Sequence, residues 1–217
     1  MKTTKLLRNI LAGATLFACT TFSKAEESNP ITGNVKYFQG IESNNDSYPE
    51  VNAFYTIPGN INGYTYIDRF RSGFILGETS LDKKIEGNLN AAVQIRHTDE
   101  LISNVTAGIK YSFDVKNGYG SINFMPLEIS KDGRNTNQGT LDFAAGKFFS
   151  NGIAIETFGG WRYDWKSGEI QWDYGEVNAT VPIKKNSNWK VGFMPALVNK
   201  GNKLPKIVPR VGIQFDF

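Results

Sequence analysis

The sequence predicts an all-β fold, an antiparallel transmembrane β-barrel of about ten strands, with twelve as the alternative. Three observations predict it. Apolar and polar residues alternate in long segments, an export signal precedes those segments, and the chain ends on an aromatic residue, Phe217. A chain of 217 residues that is 40% hydrophobic is too apolar for a disordered tail, and it lacks the repeated apolar runs of a helical membrane bundle.

Residues 1–25 have the parts of a secretory signal peptide. A basic start is followed by an apolar core at 10–18 and by Ser23-Lys24-Ala25, which has small residues where a cleavage site needs them. The core is about half as long as a membrane-spanning helix, so we expect cleavage after Ala25 and a mature domain of residues 26–217. A lipoprotein box ending at Cys19, the single cysteine, is the alternative.

The charge of the mature domain excludes a nucleic-acid polymer as partner. Residues 1–25 contain four of the 24 Lys and Arg and none of the 21 Asp and Glu, so 20 bases remain against 21 acids. A nucleic-acid surface needs a basic excess. Cleavage after Ala25 would remove Cys19 and leave a mature domain without cysteine. Exported domains without cysteine are typical of the bacterial envelope, so we expect an outer-membrane location with membrane lipid as a partner.

Alternation is clearest in the last segment, where Val211, Ile213 and Phe215 share one face and Arg210 and Gln214 the other. Such segments exceed the usual strand length of about 5–6 residues and suit tilted membrane strands of roughly 9–11. The closing aromatic Phe217 resembles the signal that barrel assembly machinery recognises. The predicted strands are 31–41, 48–57, 62–76, 87–98, 102–115, 138–149, 152–165, 169–183, 187–198 and 206–217.

The connections between these strands predict the orientation of the barrel. Short turns near 58–60, 150–152 and 184–186 are expected on the periplasmic side, and longer loops at 42–47, 77–86 and 116–137 outside. Part of 116–137 also alternates, but an eleventh strand would make the number odd, so we assign it to an extracellular hairpin. Twelve strands, with one not recognised, is the alternative. A break in alternation predicts a bulge at Gly175-Glu176.

The polar faces of the strands predict a lumen whose charges of both signs nearly balance. Either ion pairs fill a narrow interior, or the interior is a pore that binds a small solute. Both interpretations stay open. The candidate solute path comprises Asn52, Phe54, Arg69, Arg71, Arg96, Lys110, Asp142, Glu156, Phe158, Arg162 and Arg210.

Nothing in the sequence indicates an enzyme, a metal site or a cofactor. The single histidine, His97, is expected on the lipid-facing side at the periplasmic end of its strand, without a serine motif beside it. One histidine cannot form a multi-histidine metal site. The lumen carboxylates Asp142 and Glu156 have the bases Arg162 and Lys110 to pair with, so we expect no catalysis.

The order of several segments resembles the nucleoside-specific outer-membrane channels, the Tsx-like family. These segments are 51–56 (VNAFYT), 63–70 (GYTYIDRF), 74–78 (FILGE), 92–97 (AVQIRH), 181–183 (VPI) and 212–217 (GIQFDF). The resemblance implies a channel in which Phe54, Arg69, Arg71, Arg96 and Glu156 line the solute path. Family members usually have twelve strands, so a ten-stranded chain would depart from the pattern, and nucleoside specificity depends on that point.

A porin class for acidic oligosaccharides resembles the chain less, because such pores need arginine-rich walls. We therefore expect passive passage of small polar solutes, neutral or zwitterionic, through an outer-membrane channel. The alternative is a plugged structural or adhesive barrel that contacts partners through loops 77–86 and 116–137.

Overall fold

A single antiparallel sheet forms the wall of the protein in the computed structural model, which describes residues 31–41, 47–69, 75–98, 101–130, 133–199 and 205–217. Consecutive strands pair with one another around the sheet. The strands are β1 (Thr32–Gly40), β2 (Tyr48–Ile57), β3 (Ile61–Arg69), β4 (Ile75–Glu86), β5 (Leu89–Thr98), β6 (Leu101–Val115), β7 (Gly118–Ser130), β8 (Gln138–Phe148), β9 (Ala154–Asp164), β10 (Ile170–Pro182), β11 (Trp189–Phe193), β12 (Ala196–Val198), β13 (Lys206–Val208) and β14 (Arg210–Asp216). The described part of the chain contains no helix of the length and apolarity that a membrane span requires.

The sheet closes on itself because β1 pairs with β14, with Asn34 opposite Asp216. β11 and β12 are two halves of one wall strand, since both pair with β10. β13 and β14 likewise form one strand, interrupted at Pro209, which has no backbone N–H to donate to a ladder. The closed barrel therefore has twelve strands. This confirms the all-β antiparallel barrel and its twelve-stranded alternative, and the number ten is wrong.

Two wall strands, β4 and β7, account for the difference. The predicted outer loop 77–86 belongs to β4, which pairs with β3 and β5, and most of the predicted excursion 116–137 is β7, which pairs with β6 and β8. The outward face of β4 includes Thr79 and Lys83, so it lacks the apolar alternation of its neighbours. In β7 an irregularity between Phe124 and Leu127 switches the parity of the apolar residues.

The connections between wall strands alternate between the two ends of the barrel. At the end of the barrel where β1 begins and β14 ends, residues with left-handed backbone conformation form tight turns. These are Gly59, Asn60, Gly87, Asn117, Gly152 and Asn186. The wall strands are joined at the opposite end by the connections after β1, β3, β5, β7, β9 and β12. His97 lies near that opposite end of β5 and faces outward opposite Gly77, so it is at the other end from the short turn at 58–60, with which the prediction had placed it.

The wall is apolar outside and polar inside. Val51, Ile109 and Val191, like most large outward-facing side chains, stay about two-fifths exposed, whereas inward residues such as Asn178 and Gln214 are buried. A shell of exposed apolar side chains around a polar interior is the arrangement of a barrel that lies in lipid. The predicted signal peptide (1–25), Arg71 and residues 42–46 of the first outer loop lie outside the described residues.

Candidate functional site: the barrel lumen

Most candidate lumen residues face the interior of the barrel. Those that do so are Asn52, Phe54, Arg96, Lys110, Asp142, Glu156, Phe158, Arg162 and Arg210. Arg69 does not: it lies opposite Ile75 on the outward side of β3, two positions from the lipid-facing Ile67. The inward-facing residues of β3 are the even-numbered ones, Tyr64 and Tyr66 among them. The odd-numbered Arg69 therefore faces outward, contrary to the prediction.

Tyrosine faces the lumen in β3 because its hydroxyl finds a polar partner there. Tyr64 Oη donates to Asn52 Oδ1 at 2.6 Å, and the Tyr64 ring stacks on Phe54 with centroids 4.8 Å apart. A buried tyrosine generally needs such a partner for its hydroxyl. An aromatic residue near a strand end therefore does not by itself indicate a side chain that faces lipid.

One side of the lumen is packed shut around Arg210, which is 2% exposed. Arg210 Nη2 lies 2.6 Å from Glu176 Oε1, and its Nε donates to the Met194 carbonyl at 2.9 Å. The guanidinium also donates to the Tyr48 hydroxyl and lies over the Phe38 ring, 4.3 Å from the centroid. Since β2 and β10 are separated by three wall strands, this cluster crosses part of the interior.

A second sealed pair continues the packed side along β1 and β2. Lys36 Nζ lies 3.0 Å from Glu50 Oε1, and both side chains are almost fully buried. Glu50 also accepts from Asn52 Nδ2 at 2.6 Å, and Asn52 donates to Asn34 Oδ1 at 3.0 Å. Lys36 and Glu50 therefore each have a partner, as buried charges require.

The other side of the lumen is more open and is crossed by a loose ion pair. Arg96 Nη2 lies 3.8 Å from both Glu78 Oε2 and Asp173 Oδ2, and Arg162 Nη2 lies 3.5 Å from the same Asp173 oxygen. The Arg96, Arg162 and Asp173 side chains keep 25–33% of their surface exposed. β5 and β10 lie five strands apart in a barrel of twelve, so the contact between Arg96 and Asp173 spans the lumen.

Further polar side chains line this open side. Asp142 accepts from Gln94 Nε2 at 3.4 Å and from Thr140 Oγ1 at 3.2 Å, and Glu156 accepts from Tyr119 Oη at 3.1 Å. Lys110 Nζ is held 2.7 Å from Asp82 Oδ1.

A glycine keeps space open beside Asp142. Gly160 lies opposite Asp142 on the neighbouring strand, and a Cβ at that glycine would lie 2.1 Å from Asp142 Oδ1. Any side chain at this position would therefore displace the carboxylate. The glycine leaves the carboxylate in its place at the edge of the open side.

Sequence reasoning missed several charged lumen residues: Glu50, Glu78, Asp82, Glu128, Asp173 and Glu176. Glu78 and Asp82 were hidden because their strand was read as a loop. Asp173 faces inward as the extra residue of a bulge between Trp172 and Tyr174, close to the predicted bulge at Gly175-Glu176 but not at it. Strict alternation of Glu50 with Asn52 was a signal that could have found the first of these residues.

The described ranges contain no cluster of three His, Cys, Asp or Glu side chains that could hold a metal ion. Ion pairs and hydrogen-bonded polar groups make up much of the lumen surface. Such a surface can bind water, ions and polar solutes by hydrogen bonding and charge.

The fold is similar to that of a porin. The NanC porin, solved in a rhombohedral crystal form, matches with a TM-score of 0.55 at 8% identity, over 86% of this chain and 100% of that chain. OccAB2 of Acinetobacter baumannii matches with a TM-score of 0.39 at 11% identity, over 85% of this chain and 59% of that one. No protein-family model and no curated protein sequence matches. At 8% identity the likeness to NanC shows the fold alone, and the resemblance to nucleoside-specific channels stays a prediction.

Proposed function

We propose that this chain is an outer-membrane channel through which small polar solutes pass passively, neutral and zwitterionic solutes among them. The observation that carries the proposal is the open side of the lumen, where the charges that cross the interior are loosely held. Nucleosides are the solute that the sequence resemblance favours.

The contrast between two ion pairs supports this proposal. The contact between Arg96 and Asp173 is long, at 3.8 Å, and both side chains are part-exposed, so we expect its rupture to cost no more than about 1 kcal/mol. The 2.6 Å contact between Arg210 and Glu176 is buried, and breaking it would cost about 3–5 kcal/mol. Thermal side-chain motion opens the first pair and leaves the second closed.

A polar solute can replace the contacts that it breaks. When Arg96 and Asp173 separate, the guanidinium can donate to a hydroxyl or carbonyl of the solute, and the carboxylate can accept from a hydroxyl or amine. An apolar solute offers neither group, so it would leave both charges unpaired. The lumen thus favours small polar molecules by chemistry as well as by width.

The environment belongs to the same proposal. The apolar outer face would contact outer-membrane lipid, and the C-terminal Phe217 would be recognised by the barrel assembly machinery. Phe217 exchanges two backbone hydrogen bonds of 3.0 Å with Gly33, so it also takes part in closing the wall.

Planar-bilayer recording of the purified, folded protein tests the proposal. We expect discrete conductance steps, and a higher conductance for Arg96→Ala, which removes the side chain that crosses the lumen. Lys166→Ala is the matched control, because Lys166 lies in an exposed turn, and its conductance should equal that of the wild type. Liposome swelling with nucleosides, sugars and amino acids would then identify the solutes.

A sealed interior is the competing possibility, since the Arg210 cluster already fills one side of the lumen. Folded wild-type protein that inserts into bilayers and never conducts would favour a plugged structural barrel. Loops 77–86 and 116–137 could not serve such a barrel as adhesive surfaces, because β4 and β7 occupy most of them.

A further inference from the structure

We infer that the channel passes cations in preference to anions, an inference that rests on the proposed channel function. Among the described residues, charged side chains face the interior along most of the length of the strands. The carboxylates are Glu50, Asp68, Glu78, Asp82, Glu128, Asp142, Glu156, Asp173, Glu176 and Asp216, and the cations are Lys36, Arg96, Lys110, Arg162, Lys190 and Arg210. In this set the acids outnumber the bases, whereas the sequence led us to expect near charge balance.

Each of these cations is already neutralised by a carboxylate. Lys36 pairs with Glu50, and the remaining pairs are formed in the same way. They are Arg96 with Glu78 and Asp173, Lys110 with Asp82, Arg162 with Asp173, Lys190 with Asp216 and Arg210 with Glu176. Two further bases on inward-facing positions, Lys84 and Lys206, are exposed near strand ends, where water screens their charge.

Three interior carboxylates that accept hydrogen bonds have no Lys or Arg partner in the described part of the chain: Glu128, Asp142 and Glu156. Asp142 and Glu156 receive hydrogen bonds from neutral donors only, and Glu128 accepts from Asn104 Nδ2 at 2.9 Å. Asp68 is left out of this set, because it is 93% buried with no hydrogen-bond partner at Oδ1, and a carboxylate in that setting does not keep its charge. Neutral donors orient a carboxylate but do not cancel its charge.

The placement of these charges determines which ion they favour. Asp142 and Glu156 lie on the neighbouring strands β8 and β9, on the open side of the lumen that solutes would follow. Rings and rows of carboxylates favour cations and repel anions in aqueous pores. One uncompensated charge about 8 Å from the ion path, in a medium as polar as water, favours a cation over an anion by about fivefold.

The reversal potential of the channel under a KCl gradient tests the inference. The purified full-length mature protein is recorded in planar bilayers with a tenfold KCl gradient, in neutral lipid so that the membrane itself carries no charge. We expect a reversal potential of the sign that K⁺ selectivity gives, with a K⁺ to Cl⁻ permeability ratio of about five or more.

Two neutralising variants locate the source of the selectivity. Asp142→Asn and Glu156→Gln keep the shape and the hydrogen-bond acceptor of each side chain, and each should lower the permeability ratio by about half or more. Glu169→Gln is the matched control, because it removes one carboxylate from an exposed turn outside the lumen, and it should leave the ratio unchanged. Arg96→Gln should raise the ratio, since it frees carboxylates that are now paired.

The outcomes separate this inference from the proposed function. Conductance steps with a reversal potential of zero, or with Cl⁻ selectivity, would overturn the cation preference and leave the channel standing. An equal shift in Glu169→Gln and Glu156→Gln would also overturn it, since the lumen carboxylates would not be its source. Folded wild-type protein without any conductance would remove the channel, and the inference with it. The wild-type measurement decides even if a variant fails to fold.

Discussion

Arg210 is expected to be the residue whose loss destabilises the barrel most among the lumen bases. Its guanidinium is sealed between Glu176, Tyr48 and Phe38, and only 2% of the residue is exposed. Arg210→Met replaces the charged side chain with an apolar one of similar length, so the packing volume changes little. It leaves the carboxylate of Glu176 buried, with the Tyr48 hydroxyl as a neutral donor at 3.3 Å.

The magnitude follows from that uncompensated carboxylate. Removing one partner of a buried ion pair costs about 3–5 kcal/mol in free energy of unfolding. The double variant Arg210→Met with Glu176→Gln removes both charges, and the glutamine can still accept from Tyr48. It should recover most of the loss and leave about 1 kcal/mol, the contribution of the lost hydrogen bond to the Met194 carbonyl. Lys190→Met, which breaks a part-exposed pair with Asp216, should cost no more than about 1 kcal/mol.

Denaturant unfolding in lipid vesicles, followed by tryptophan fluorescence, measures these differences. The reasoning fails if Arg210→Met costs no more than Lys190→Met. It also fails if the double variant is as unstable as the sum of its two single variants, since coupling between Arg210 and Glu176 would then be absent.

Three further predictions concern the open side, the seam and the orientation. Gly160→Ala should reduce the single-channel conductance, because its Cβ would push the Asp142 carboxylate, 2.1 Å away, out of its place; an unchanged conductance would contradict this role. Deleting Phe217 should reduce the yield of folded barrel severalfold in a gel-shift assay, since two backbone hydrogen bonds of about 1 kcal/mol each are lost; an undiminished yield would count against a role in closure or assembly. A peptide tag inserted after Gly168 should bind antibody on intact cells and one after Gly152 should not, and the reverse pattern would invert the proposed orientation.

The alternation of apolar and polar residues predicted most of the wall correctly. Val211, Ile213 and Phe215 face outward as expected, because lipid on one side and polar side chains on the other impose a period of two on every regular strand. The rule failed where the wall is irregular or its outer face is polar. β4 has Lys83 on its outward side, and β7 changes parity near Pro126, so neither strand shows a continuous apolar face.

The pairing of charges across the lumen was beyond the reach of sequence reasoning. Arg96 and Glu156 could be assigned to the interior from alternation, since that depends only on local periodicity. The contact of Arg96 with Asp173 depends on the number of strands, which decides what lies across the interior, and on a bulge that turns Asp173 inward. With ten strands, other side chains would have met.

Closure of the sheet gives the wall one joint unlike the rest. Among the twelve wall strands, with β11 and β12 taken as one and β13 and β14 as another, each pairing but one connects neighbours in chain order and can zip from its own turn within microseconds. The exception joins Val35 to Phe215, so the two extremes of the domain must find each other before any of its bonds form. A variant that fails at this seam would be a curled ribbon with two bare edges. Such edges pair with whatever strand they meet, so damage to the seam should yield intertwined multimers, whereas damage to the lumen should yield intact single barrels.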